Sequence, residues 1–221
     1  MFRAMLGLAA KVSGMRDTMI KSADMPRTPK ELEILEVASG YFLSHGYKGT
    51  SINAMARDAG ISKESIYRYF SSKRLLFQAV IARELAAYKS RLEFLDSEPE
   101  SLQLREALIR VAETILMLVC NERTLALRRL IFQEVDKTPD IGRYYYAIGP
   151  NEAYEFLERI FSLNADAACL SPAQLARNFV ALTLHYTVLR RECGVLEPLT
   201  IAQSKKLAAD GVDEFLQVYL P

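Results

Sequence analysis

The stretch GISKESIYRYF, residues 60–70, carries Lys63, Ser65, Tyr67, Arg68 and Tyr69 behind a glycine. Two cations, a hydroxyl and two phenols so close together make a dense set of hydrogen-bond donors. Lysine and arginine donate to guanine O6 and N7, and serine serves as donor or acceptor, so this set fits the reading of base edges. An enzymatic reading finds no residues to stand on. The chain shows no carboxylate pair, no Ser-His-Asp order, no HExxH and no phosphate-cradling glycine loop, so no catalytic residue, metal or cofactor is expected.

Base-reading side chains need a rigid mount. Ile66 and Phe70, four residues apart, form the buried stripe of a short helix capped by Ser62. Upstream, Thr50 or Ser51 caps a helix whose inner face is Ile52, Met55, Ala56 and Ala59. Small Ala56 lets the two helices cross closely, and Gly60 supplies the positive φ that the turn requires. Ile52, Met55, Ile61 and Ile66 fill the shared centre, and the pair is predicted to be a helix-turn-helix. Its second helix then presents Lys63, Ser65, Arg68 and Tyr69 to a major groove, flanked by Tyr67, with Ser62 at its start and Asn53 reaching over from the first helix. Phosphate grip is expected at the edges, from Thr50 and Ser51 at one helix start, from Ser72 and Lys73 at another, and from the Tyr67 hydroxyl.

Charge is distributed to match. Between His45 and Leu75, six basic residues face only Asp58 and Glu64, a balance of +4, whereas from Leu76 onward 16 basic and 20 acidic residues give −4. A compact basic patch on an otherwise mildly acidic molecule points to a polyanion docking at that one place.

The elements around this motif read as helices throughout. Only 10 glycines and 8 prolines occur in 221 residues, half of them hydrophobic, and long Leu-, Ala-, Glu- and Arg-rich stretches predict an all-α fold. Thr28, Pro29 and Glu31 start a first helix with Ile34, Leu35, Ala38, Tyr41 and Phe42 at helical spacing, ended by Gly46. A fourth helix is predicted from Ser71 or Ser72 to about Leu95, with Leu75, Leu76, Ala79 and Val80 on its apolar side. Beyond Pro99, helices are expected near 101–119 and 121–136, then after TPD and a short tyrosine-rich segment, RYYYAIG, from Pro150 to about Leu163, from Ser171 as one long helix to Glu192, and over 199–219.

The segment ILEVASGYFLSHGYKGTSINAMARDAGISKESIYRYFSSKRLLFQAV resembles the amino-terminal DNA-binding domain of TetR-family (TetR/AcrR-like) transcriptional regulators. The matching positions are Phe42, Gly46-Tyr47, Thr50-Ser51, Ala56, Ala59-Gly60-Ile61-Ser62, Ile66-Tyr67 through Phe70, and Ser72-Lys73. Glu64 departs from the small residue or proline common there, which leaves base preference open. The stretch from Leu127 to Phe161 is similar to the carboxy-terminal domain of a multidrug-efflux branch compared with AcrR. The resemblance implies residues 28–88 as a three-helix helix-turn-helix domain and 89–221 as a larger helical effector-binding and dimerisation domain; Met15, Met19 and Met25 are alternative starts, so residues 1–27 are expected to be an ill-ordered extension.

It further implies a homodimer on a double-stranded DNA operator, acting as a repressor released by a small-molecule effector. Apolar stripes at Phe179, Leu182, Tyr186 and Leu189 and at Val212, Phe215 and Tyr219 are the expected dimer faces. Phe132, Tyr144, Tyr145, Phe156 and His185 are candidates to line a pocket for a lipophilic or aromatic effector. The longest apolar run, Thr114 to Cys120, is too short to cross a bilayer, and with no signal-peptide pattern a cytoplasmic location is expected.

Two other readings stay open. One is a helical adaptor whose amino-terminal bundle binds protein instead of DNA. The other is a thiol-responsive regulator: Cys120, Cys169 and Cys193 lack zinc or dithiol spacing, and Cys193, beside Arg190 and Arg191, is the candidate sensor. His45 is expected to cap the first helix.

Overall fold

Thr28 starts α1 (Pro29–Gly49) as the sequence predicts, its hydroxyl accepting the Glu31 N–H at 3.2 Å. The computed structural model describes residues 28–97, 103–164 and 170–220, leaving aside the side chains of 87–97. The expectation for residues 1–27 and the thiol of Cys169 lie outside this range. No helix among the described residues is long and apolar enough to cross a membrane. The remaining elements are α2 (Ile52–Asp58), α3 (Lys63–Tyr69), α4 (Lys73–Ser97), α5 (Leu104–Val119), α6 (Glu122–Glu134), α7 (Pro139–Ile148), α8 (Pro150–Asn164), α9 (Pro172–Thr183), α10 (His185–Glu192) and α11 (Ile201–Tyr219). The fold is all-α.

Two compact units emerge. The first joins the residues up to Glu84 with Leu130–Ile148, and the second comprises Leu85–Arg129 and from Gly149 onward. Packing thus groups the end of α6 and all of α7 with the amino-terminal helices, where sequence reading draws one boundary near residue 88. Inside the first unit, Arg74 of α4 meets Asp140 of α7 at 3.6 Å. Its core is built from Ile34, Leu35, Ala38 and Phe42 of α1, Met55 of α2 and Ile66 of α3, with Leu76, Phe77, Val80 and Ile81 of α4. The Phe42 and Phe77 rings lie 4.7 Å apart, and Tyr47 packs on both. Phe77 takes the place expected for Leu75, which is exposed. Residues 76–82 of α4 are buried on every side, so its sequence carries no one-sided stripe to read.

The second unit packs α9 against α8 and α11, and α11 against α5. Leu108, Val111, Ala112, Ile115 and Leu116 give α5 a regular buried stripe, facing Phe156, Leu157, Phe161, Leu175, Phe179, Ala208, Val212 and Phe215 in one cluster. Ser171 and Thr200 each cap their helix reciprocally with the glutamine three residues on. The long helix expected over 172–192 is instead broken at Leu184 (φ −115°, ψ −38°). Thr183 Oγ1 donates to the Phe179 carbonyl at 2.6 Å, a back-bond that bends helices. Gly211 of α11 also crosses so close that an added Cβ would sit 3.0 Å from Thr183 Cα.

Candidate nucleic-acid interface

Ser51 caps α2 by accepting the Ala54 N–H, and Ser62 caps α3 by accepting the Ser65 N–H at 3.1 Å. Between them Gly60 adopts φ 65°, and the Ile61 N–H returns to the Ala56 carbonyl at 2.9 Å. Ile52, Met55, Ala56, Ile61, Ile66 and Phe70 are all buried. The turn is fixed by backbone bonds and the crossing by apolar contact. Ala59 is only half-buried.

With Ile66 turned inward, Ser62, Lys63, Glu64, Tyr67 and Arg68 are exposed, and Ser65 and Tyr69 are half-buried at the margins. Asn53 of α2 is exposed as well. The cations are partly pre-positioned. Lys63 Nζ lies 5.7 Å from the Tyr67 ring centre, and the Arg68 guanidinium lies 5.3 Å from that of Tyr69 while donating to Ser65 Oγ at 3.4 Å. Ser72 caps α4, accepting the Leu75 N–H at 3.2 Å. The first-turn N–H groups of α2 and α4 have no intrahelical acceptors, which suits them to an anion.

Two expected phosphate contacts are used differently. Thr50 is buried, and its hydroxyl donates to the Tyr41 and Gly46 carbonyls at 3.1 and 2.8 Å; it closes the end of α1, and Ser51 alone is the cap. Lys73 is drawn inward, its ammonium donating to the Lys48 and Thr50 carbonyls at 3.3 and 3.0 Å and lying 4.9 Å from the Tyr47 ring centre. Burial holds this ammonium below the ordinary lysine range, while Glu134 pulls the other way. Gly46, at φ 72°, permits the reversal that brings these carbonyls together.

A latch at the outer edge holds α1 to α2. The Tyr41 hydroxyl donates to Asp58, which also accepts from Arg57 at 2.9 Å. His45 stacks on Tyr41 at 5.1 Å and sits 3.3 Å from the Tyr41 carbonyl, the capping place expected for it. The Tyr41 bond holds the Asp58 carboxyl below its usual range, and the same bond raises the Tyr41 phenol. The depressed Asp58 contributes above about pH 4 and loses that contribution as pH falls through its lowered value; the raised Tyr41 contributes below about pH 10 and loses it as pH climbs through its own. Thermal melts of wild type and Tyr41→Phe should therefore differ by a constant small gap at neutral pH and converge at both extremes. A gap independent of pH would leave the latch without its proton.

Residues 106–221, more than half of the chain, match the family described as AefR-like transcriptional repressor, C-terminal domain, and residues 34–80 match the bacterial regulatory proteins of the tetR family. The chain belongs to the TetR family. It is similar to the HTH-type transcriptional regulator AcrR of Shigella flexneri, 28% identical over 197 residues that cover 85% of this chain and 87% of that one. A TetR-family regulator from Mesorhizobium loti shares the fold at TM-score 0.72 and 26% identity, over 87% of this chain and 99% of the other. The flavonoid-responsive regulator FrrA does so at TM-score 0.72 and 27% identity, over 87% and 97%. This TetR-family protein is thus a helix-turn-helix transcriptional regulator, and its carboxy-terminal part falls with the AefR-like domains.

The other predicted sites are redistributed in this TetR-family chain. Phe179, Val212 and Phe215, expected at a dimer face, are fully buried core, and Tyr219 is half-buried against Phe215. Leu182, Tyr186 and Leu189 are 40%, 69% and 44% exposed. Helical periodicity alone could not separate the two rows, because α9 is apolar on two sides. Of the five pocket candidates, Phe132, Tyr144 and Tyr145 belong to the first unit, and Phe156 and His185 to the second. Phe132 and His185 are exposed, and Phe156 is core. Cys193 is exposed, but Arg191 points inward to the Cys120 and Leu196 carbonyls and to Glu122, and Arg190 stacks on Tyr186. The cations invoked for a reactive thiol are engaged elsewhere. Burial pushes the Cys120 thiol up to about 11.

Proposed function

We propose that this regulator is a homodimeric repressor that reads a near-palindromic operator through α3 and is released by a small-molecule effector in the cytoplasm. The observation carrying the reading is the outward face of α3: a capped helix whose buried residues leave Lys63, Tyr67 and Arg68 exposed on a patch of net positive charge. Ser65 and Tyr69 flank that face, Asn53 adds a reader from α2, and Ser51, Ser62 and Ser72 lie at helix starts suited to phosphate. Repression is supported by the AefR-like repressor family of the carboxy-terminal part. A small aromatic effector is supported by the flavonoid response named for FrrA. A second copy is supported by the exposed row Leu182, Tyr186 and Leu189, spaced four and three residues apart on α9 and α10, which a twofold partner would cover.

In such a dimer, two copies of α3 enter major grooves about 34 Å apart. An effector that binds the other arrangement better by a few kcal/mol empties the operator. The test is a gel shift with neighbouring intergenic DNA at low salt, followed by operator selection. Lys63→Ala is expected to lower affinity for the selected operator by roughly 5- to 100-fold and to relax choice at one position per half-site. Tyr67→Phe should weaken all sequences alike. An unchanged base preference for Lys63→Ala would remove lysine as a reader, and no retained band for wild type would favour the adaptor.

A further inference from the structure

Glu64 lies two residues before Ile66 and Arg68 two after it, which puts both about 160° around α3 from the buried anchor. They occupy the most outward ridge of the helix, and Glu64 is exposed there. An acid in a first helical turn has an ordinary role against the helix dipole, but that role places no demand on the ridge that faces outward. The neighbouring cations do not neutralise it. Lys63 turns over Tyr67, and Arg68 turns over Tyr69 and toward Ser65. Among the described residues nothing pairs with the Glu64 carboxylate.

An unpaired carboxylate pressed toward a polyanion weakens binding unless the duplex supplies a donor. Only two bases offer an amino group in the major groove. Adenine sets N7, an acceptor, beside its N6 amino group, so a carboxylate meets a lone pair next to the donor; cytosine presents its N4 amino group with no neighbouring acceptor of its own. Guanine and thymine offer acceptors alone. We infer that Glu64 is a specificity-determining residue of the recognition helix, accepting a hydrogen bond from a cytosine N4 amino group once in each half-site.

This rests on the DNA-reading proposal, and the experiment separates the two. Operators are selected from random duplexes by wild type, Glu64→Ala and Glu64→Gln at one salt concentration, with thermal melts of each protein. Wild type should prefer C·G by roughly 5- to 100-fold at one position per half-site. Glu64→Ala should lose that preference there and keep the others, and Glu64→Gln should move it toward A·T, since glutamine pairs with adenine N6 and N7. If Glu64→Ala binds every sequence more tightly with all base preferences intact, the carboxylate only repels phosphate and the inference is overturned while the DNA reading stands. If wild type retains no duplex at low salt, both fall. Should Glu64→Ala melt early, Glu64→Gln alone decides by whether its preference shifts.

Discussion

Replacing Phe215 with alanine is expected to lower the stability of the second unit by about 3–5 kcal/mol, the range for removing a large ring from a closed core. Phe215 is fully buried, with ring centres of Phe179 at 5.2 Å, Phe161 at 5.5 Å and Tyr219 at 5.1 Å. Those rings come from α8, α9 and α11, so a void at Phe215 is walled by three helices and cannot close without moving one of them. Urea unfolding should show the midpoint falling with its slope unchanged. A loss near 1 kcal/mol would mean that the site collapses or was never tightly filled, and the cluster would then be a candidate cavity for an effector.

That cluster also shows what the sequence could and could not reveal. Local signals were legible, because each is decided within a few residues: the caps at Thr28, Ser51 and Ser62, the positive φ at Gly60, the paired Ile66 and Phe70. The α3 face followed directly, since a seven-residue helix with one buried anchor has only one outward side. Phe179 and Leu182 were harder. Both are apolar and three apart, and only the neighbours of α9 decide that Phe179 faces the core and Leu182 the solvent. The break at Leu184 lies where Gly211, twenty-seven residues downstream, crosses close to Thr183, and no local pattern encodes a crossing. Thr50 and Lys73 make bonds within the fold that the sequence does not announce, for a related reason. A hydroxyl or ammonium at a helix boundary reads as an anion contact, yet the reversal at Gly46 gathers carbonyls that take both side chains first.

Lys73→Met is therefore expected to act on the fold before it acts on DNA. Wild-type Lys73 makes two charge-assisted bonds to the carbonyls of Lys48 and Thr50 and lies against the Tyr47 ring, and their loss should cost about 2–4 kcal/mol. Glu134 adds to the penalty. It is 7% exposed, its Oε2 has no hydrogen-bond partner, and its charge acts on Lys73, an attraction that the substitution removes. The segment that loosens is the one setting the start of α2, and through α2 the crossing of α3. Affinity should fall on every operator alike, at protein concentrations and temperatures where the variant is folded. Salt then distinguishes the two roles. A lysine that neutralises a phosphate contributes about 0.9 to the slope of log affinity against log salt, so a direct contact predicts a shallower slope for Lys73→Met. A residue that only positions the turn leaves the slope unchanged while affinity drops, and that is the outcome this geometry requires: the ammonium is held by main-chain oxygens before any phosphate arrives.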